Sequence, residues 1–226
     1  VHVWRASLDA WDGHAPELLR LLSRDERERA ERHRSAVDAS RSAVSRALLR
    51  RLLARYLRSD PEGLLIRRGA SGKPELEGAP IRFNLSHAGG LALYAFSAER
   101  PVGVDVEPVR RGFEDLAPRF FSAAEAAAVS AADDARRAAV FFRYWTLKEA
   151  FVKGTGRGLG LPLDEFQVVT AAGSDDARVS SAVHGALAAP WRLRSFIPCL
   201  GFAGAVAVGG PYAGVRFWSA DERVGR

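Results

Sequence analysis

Val102-Gly103-Val104-Asp105-Val106-Glu107 alternates two chemistries residue by residue. Successive side chains of a strand point to opposite faces. The three valines then share one face, suited to a core, and Gly103, Asp105 and Glu107 share the other. Two carboxylates this close raise each other's cost unless a cation sits between them. The glycine leaves room for something to approach. A solvated strand end carries the same pattern, so this segment needs a second element before it means chemistry.

That element is Trp145-Thr146-Leu147-Lys148-Glu149-Ala150-Phe151-Val152-Lys153. It closes a helix predicted from Ala135 to about Lys153, which the glycine-rich segment from Gly154 to Gly160 ends. Trp145, Glu149 and Lys153 fall at i, i+4 and i+8 and so share one helix face. Glu149 and Lys153 alone make a plain surface ion pair, worth about 0.3–0.5 kcal/mol. The tryptophan above them argues against a wholly exposed face. Magnesium prefers hard oxygen ligands, typically a few carboxylates with waters and substrate phosphates. Asp105, Glu107 and Glu149 supply such a set, with Lys153 one turn away for a phosphate oxygen. The histidines and the single cysteine show no zinc spacing.

Outward from these two segments the chain reads as mixed helix and strand. Val1 to Leu8 suits an edge strand, and Ala15 to Leu22 a short amphipathic helix. Ser23 and Glu26 have capping-box spacing and open a charged helix to about Arg34. Val44, Leu48, Leu52 and Tyr56 recur every four residues in a helix over 38–57. Ile81–Phe83 and Leu91–Phe96 read as strands. A second capping box, Ser122 with Glu125, follows, and later strands fall near Phe166–Thr170, Trp191–Ile197, Phe202–Val208 and Val215–Trp218. A faint repeat matches Gly90 to Phe96, Pro101 and Gly103-Val104-Asp105 to the segment from Gly201, Pro211 and Gly214-Val215-Arg216. The acid of the first copy is Arg216 in the second, so only one copy could hold a metal.

Phe83-Asn84-Leu85-Ser86-His87-Ala88-Gly89-Gly90 reads as a strand entering a polar turn. Its His and Asn suit phosphate oxygens, or equally local turn caps. Arg67 to Pro74 is a basic loop without the Walker spacing. Gly154 to Gly160 follows a helix, so dinucleotide binding has little support. With 226 residues, 47% hydrophobic and 27% charged, the chain has an ordinary globular composition. The one cysteine, Cys199, fits a reducing cytoplasm, and no run reaches the ~20 apolar residues of a membrane span. The net charge of +6 is interleaved with acids and leucines rather than gathered in one block.

Gly-Lys-Pro (72–74), Phe-Asn-Leu-Ser-His (83–87), Gly-Val-Asp-Val-Glu (103–107), Phe-Phe-Ser-x-x-Glu (120–125) and the 145–153 segment occur in that order. Together they resemble the two-lobed, surfactin-type 4′-phosphopantetheinyl transferases, over about Ser23 to Phe166. The resemblance implies an α+β fold of two pseudo-symmetric lobes, 1–101 and 102–226, with coenzyme A in the cleft between them. It implies transfer of the phosphopantetheine arm to a serine of an acyl or peptidyl carrier protein, leaving adenosine 3′,5′-bisphosphate. By motif match Asp105, Glu107 and Glu149 would hold Mg2+ (or Mn2+), Glu149 would deprotonate the serine, and Lys153 would neutralise the breaking pyrophosphate. Ser86 and His87 would hold coenzyme A phosphates, with Arg68, Lys73 and Pro74 along the nucleotide, Arg41 at the 3′-phosphate assisted by Ser42, Arg29 at another of the family's basic positions, and Asn84 and Lys148 completing the cofactor contacts. Glu26 stands where some relatives carry a basic residue, a departure at the 3′-phosphate. The resemblance further implies a cytoplasmic monomer acting on acidic carriers, with neither nucleic acid nor membrane as partner. A non-catalytic carrier-binding module and another magnesium-dependent phosphoryl transferase are the alternatives. Asp105 and Glu149, taken as solvent-facing, are expected to be replaceable by Ala without loss of fold.

Overall fold

The computed structural model describes residues 1–69, 72–171, 173–180, 190–210 and 214–221. Its strands are β1 (His2–Ser7), β2 (Ile66–Arg68), β3 (Pro74–Leu76), β4 (Arg82–Ala88), β5 (Leu91–Ser97), β6 (Val102–Pro108), β7 (Gln167–Thr170), β8 (Asp176–Ser180), β9 (Trp191–Phe196), β10 (Phe202–Gly209) and β11 (Arg216–Ser219). Its helices are α1 (Ala15–Arg20), α2 (Arg24–Glu31), α3 (Ala36–Leu57), α4 (Ala117–Phe120), α5 (Ala123–Ser130) and α6 (Arg137–Thr155). One sheet has the order β11-β1-β5-β4 and a second the order β6-β10-β9-β8-β7, while β2 and β3 form a separate hairpin.

The two sheets are built alike. In each, a hairpin (β4–β5 or β9–β10) is followed by a strand that leaves for the other sheet: β6 pairs with β10, and β11 pairs with β1. This exchange gives the faint repeat a structural meaning, although its Pro211 lies outside the described residues. It also means that a division after residue 101 separates the chain but not the sheets, since β11 returns to the first.

The apolar periodicities explain the packing. Leu48, Leu49, Leu52 and Leu53 of α3 are fully buried against Trp4, Ala92, Tyr94 and Phe96 of the first sheet. Val102, Val104 and Val106 of β6 are fully buried with Leu93, Ala95, Val206 and Val208, filling the space where the sheets meet. α6 buries Leu147, Ala150 and Phe151 on the second sheet with Trp191 and Leu193. Both capping boxes form, Ser23 with Glu26 and Ser122 with Glu125.

Three expectations change. β4 extends through Ala88, so Asn84, Ser86 and His87 are strand residues and not turn caps. Arg67, Arg68 and Pro74 are paired residues of the β2–β3 hairpin, so the segment from Arg67 to Pro74 is not only a loop; its Ala70 and Ser71 lie outside the described residues. Strand β8 was not expected, because Asp176-Ala-Arg-Val-Ser carries too few apolar residues to stand out.

Candidate functional site

Close approach of β6 and α6 builds the first half of the site. A Cβ on Gly103 would collide with the backbone of Ala150 and Gly154, so only glycine lets the strand lie this near the helix. The same contact carries Lys153 to Asp105, with Nζ to Oδ1 at 2.6 Å. Lys153 also donates to Ser86 Oγ at 2.9 Å, and Ser86 donates to Asp105 Oδ1 at 2.8 Å. β4 is held beside β6 by Asn84, whose Oδ1 accepts the Val104 N–H at 2.8 Å. Asp105 is 1% exposed, which corrects the expectation of a solvent-facing acid.

Electrostatics ties Glu107 and Glu149 to this pair. Burial, then Asp105 and Glu149, pushes the Glu107 carboxyl up to about 7. Burial and the Asp105 charge likewise raise Glu149. Burial opposes the Lys153 charge, and the nearby Asp105, Glu149 and Glu107 more than offset it, holding the ammonium above its ordinary range. Asp105 Oδ2 is buried with no hydrogen-bond partner. An orphaned carboxylate oxygen among three mutually repelling acids is the environment that a hard divalent cation relieves. Among the described residues no three metal-type side chains converge into a ready cage. The donor set therefore fits such an ion, and the fit needs movement of the half-buried Glu107 and Glu149.

The second half is a cationic cavity of about 500 Å³ lined by Arg29, Arg32, His33, Ser42, Arg46, Arg67, Arg68, Pro74 and His87, with Ser23, Asp25, Glu26 and Ile66. Arg46 has no hydrogen-bond or ion-pair partner among the described residues, and burial, then Arg68, lowers its pKa. Burial, followed by Arg46, His33 and Lys153, drops His87 to about 4, so His87 is neutral at pH 7. Glu26 does not undo the positive charge: its Oε2 accepts from Arg50 Nε at 2.7 Å and from the Ser23 N–H at 3.0 Å. β4 joins the two halves, carrying Ser86 to the acids and His87 to the cavity.

Four residues expected at the cofactor do not line this cavity and are held by partners within the protein. Lys148 is fully buried on α6, where Nζ meets Glu125 Oε2 at 2.8 Å and donates to the carbonyls of Leu163 and Phe166 at 2.7 and 2.6 Å. With every donor engaged it is a core residue. Asn84 is 4% exposed and holds the Val104 amide. Arg41 sits in a two-pronged pair with Asp9, at 2.8 Å for both bonds. Lys73 turns from the cavity to the carbonyls of Val102 and Gly154, each at 3.1 Å. The sequence reading missed Arg46, Arg32 and His33. Ser42, Arg46 and Arg50 at four-residue spacing on α3 were the available signal: a polar stripe through an apolar helix.

A carboxylate–lysine cluster thus lies beside a cationic cavity of about 500 Å³, on two sheets that exchange strands. Residues 101–198 match the 4′-phosphopantetheinyl transferase superfamily, and residues 2–99 match the family described as 4′-phosphopantetheinyl transferase, N-terminal. The chain is 34% identical over 224 residues to the 4′-phosphopantetheinyl transferase HetI of Nostoc sp. strain PCC 7120, covering 96% of this chain and 91% of HetI. It is 33% identical over 169 residues to a 4′-phosphopantetheinyl transferase of Bacillus subtilis, covering 74% of each. Sfp of Bacillus subtilis strain 168 is 32% identical over 152 residues, 67% of each chain. A solved structure, Thermotoga maritima holo-[acyl-carrier-protein] synthase, aligns over 50% of this chain and 64% of its own, with 22% identity and a TM-score of 0.37. The chain belongs to the 4′-phosphopantetheinyl transferase family.

Proposed function

We propose that this protein transfers the 4′-phosphopantetheine arm of coenzyme A to the serine hydroxyl of an apo acyl or peptidyl carrier protein. The observation that carries the reading is that one strand, β4, links a cavity of arginines to the Asp105–Lys153 cluster. The arginines and neutral His87 suit the nucleotide phosphates, and the cluster suits the pyrophosphate at the reacting end. Lobes of 1–101 and 102–226, with β11 shared, would supply the two sides of the cleft.

Asp105, Glu107 and Glu149 would hold the divalent cation, which when bound supplies charge neutralisation on the pyrophosphate. Glu149, half-buried and raised in pKa, takes the serine proton as the serine oxygen bonds to the pantetheine-side phosphorus. The bond to the bridging oxygen breaks, and adenosine 3′,5′-bisphosphate leaves. Lys153 stays protonated and offsets charge on the departing phosphate. Ser86 fixes the Lys153 ammonium on Asp105.

The net charge of +6 favours an acidic carrier as partner, and association that weakens with salt. A monomer acting in the cytoplasm fits a cleft contained in one chain. Among the described residues no helix is long and apolar enough to cross a membrane. The test is mass spectrometry of several apo carriers incubated with the protein, coenzyme A and Mg2+. A carrier heavier by one phosphopantetheine supports the function, and no mass gain on any carrier removes it.

A further inference from the structure

Lys73 has an unusual station. It belongs to the β2–β3 hairpin segment of the first half of the chain, and its ammonium binds two carbonyls of the second half. Val102 opens β6, three residues before Asp105. Gly154 follows Lys153 in the last turn of α6. The Gly154 carbonyl is one of the four at a helix C-terminus that lack an intrahelical partner, and a cation there also meets the negative end of the helix dipole.

Two further observations make this contact more than a surface bond. First, it falls where β6 and α6 are in backbone contact, at Gly103 and Gly154, with the Trp191 ring 2.6 Å from any Cβ on Gly154. The spacing of strand and helix is therefore set within this small region. Second, the hairpin faces two ways. Arg68 and Pro74 line the cationic cavity, while Lys73 lines a separate cavity of about 320 Å³ with Ile81, Phe83, Pro101 and Gly154. Burial, aided by Arg82 and opposed by Glu75, lowers the Lys73 ammonium to about 8, so it is still charged at neutral pH.

We propose that Lys73 is a positioning residue that clamps the start of β6 to the end of α6, setting the separation of Asp105 and Glu107 from Glu149 and Lys153. The clamp is anchored in the hairpin that borders the cationic cavity. Lys73 touches no reacting atom. A misplacement of about 1 Å at reacting groups costs roughly a hundredfold in rate, which sets the scale of the effect.

The experiment compares Lys73→Met, which keeps the stem and removes the ammonium, with Lys73→Arg, which restores a cation. Backbone amide exchange is measured on the whole chain, and steady-state transfer on coenzyme A and an apo carrier. The clamp requires faster exchange in Lys73→Met at residues 153–157 and 102–104, partly restored by Lys73→Arg. The transfer arm rests on the proposed function, and there kcat should fall roughly ten- to a hundredfold with KM for coenzyme A changed less than threefold. A raised KM with unchanged kcat would make Lys73 a phosphate ligand and overturn the clamp. Unchanged exchange in both segments overturns it too. Wild-type protein without transferase activity would fail the functional reading alone, leaving the exchange arm to decide the clamp. Should Lys73→Met not fold, Lys73→Gln against Lys73→Arg makes the same comparison.

Discussion

Gly103 on β6 and Gly154 on α6 face each other backbone to backbone, and neither has space for a Cβ. Every acid of the proposed metal site depends on this contact. It brings Lys153, one residue from Gly154, within 2.6 Å of Asp105, two residues from Gly103. Replacing Gly103 by Ala forces strand and helix apart. Overpacking of this kind costs about 1–3 kcal/mol, and the displaced lysine removes activity beyond what the stability loss explains. Gly13→Ala is the control, since nothing lies within 4 Å of its Cβ position. Thermal melts and transfer rates on the two variants check the prediction; equal behaviour would show that the close approach is not needed.

Asp105 requires a different substitution from the one its sequence context suggests. Its side chain is 1% exposed and anchors both Lys153 and Ser86. Asp105→Ala should cost about 1–3 kcal/mol, because it strips partners from two polar groups. Asp105→Asn keeps the shape and an acceptor oxygen while removing the charge. Its transfer rate should fall roughly 100- to 1,000-fold, the scale of one lost electrostatic stabiliser, with a melting temperature closer to wild type than that of Asp105→Ala. Full activity in Asp105→Asn would remove this carboxylate from the site.

How much of this was legible in the sequence varies from residue to residue, for physical reasons. The valine alternation of β6 and the four-residue spacing of α3 were readable because burial imposes a period on one strand or helix. The pairing of Lys148 with Glu125 was not. Both residues sit in motifs that read as functional, yet they meet in a core beneath Phe121 and Phe166. Arg41 and Arg46 show the same limit: both are arginines on α3, and only the fold sets one against Asp9 and the other into the cavity. One-dimensional spacing gives a face, and the neighbour on that face comes from tertiary packing.

That difference between the two arginines is measurable. Arg46→Gln should raise KM for coenzyme A roughly ten- to a hundredfold, the value of one charge-assisted hydrogen bond, with a smaller change in kcat. Arg41→Gln should shift KM less, because its guanidinium already holds Asp9. The reverse ranking would place the phosphate at Arg41 instead. Salt titration of coenzyme A binding provides a second reading, with a shallower slope for Arg46→Gln than for wild type.

Glu107 should impose a pH dependence of defined sign. Its folded pKa, about 7, is raised above the ordinary carboxylate value. The native state therefore favours the protonated form, a contribution fully present below pH about 4.5 and lost as pH rises through about 7. In metal-free protein Glu107→Gln should match wild type at pH 4 and become relatively more stable as pH rises to 7 and beyond. Metal affinity should run the opposite way. Mg2+ must displace the proton, so apparent affinity rises with pH up to and past 7 in wild type, and the slope flattens in Glu107→Gln. Isothermal titration with Mg2+ at several pH values, alongside chemical denaturation, checks both halves. A pH-independent affinity would exclude Glu107 as a ligand.

Lys148 offers a test that separates core from site. Its ammonium and the Glu125 carboxylate are 0% and 1% exposed, and Glu125 also accepts the N–H groups of Ser122 and Val168. Removing one partner of a buried pair leaves an uncompensated charge and typically costs about 3–5 kcal/mol. Lys148→Met should therefore destabilise strongly, and Glu125→Gln less, since the amide oxygen can still serve one of the two N–H donors. The double variant Lys148→Met/Glu125→Gln should recover part of the loss, because no unpaired charge remains. Under stabilising conditions, such as low temperature, the folded fraction of Lys148→Met should keep a near-wild-type KM for coenzyme A. A large rise in KM in protein shown to be folded would instead return Lys148 to the cofactor, and require α6 to rotate relative to the packing seen here.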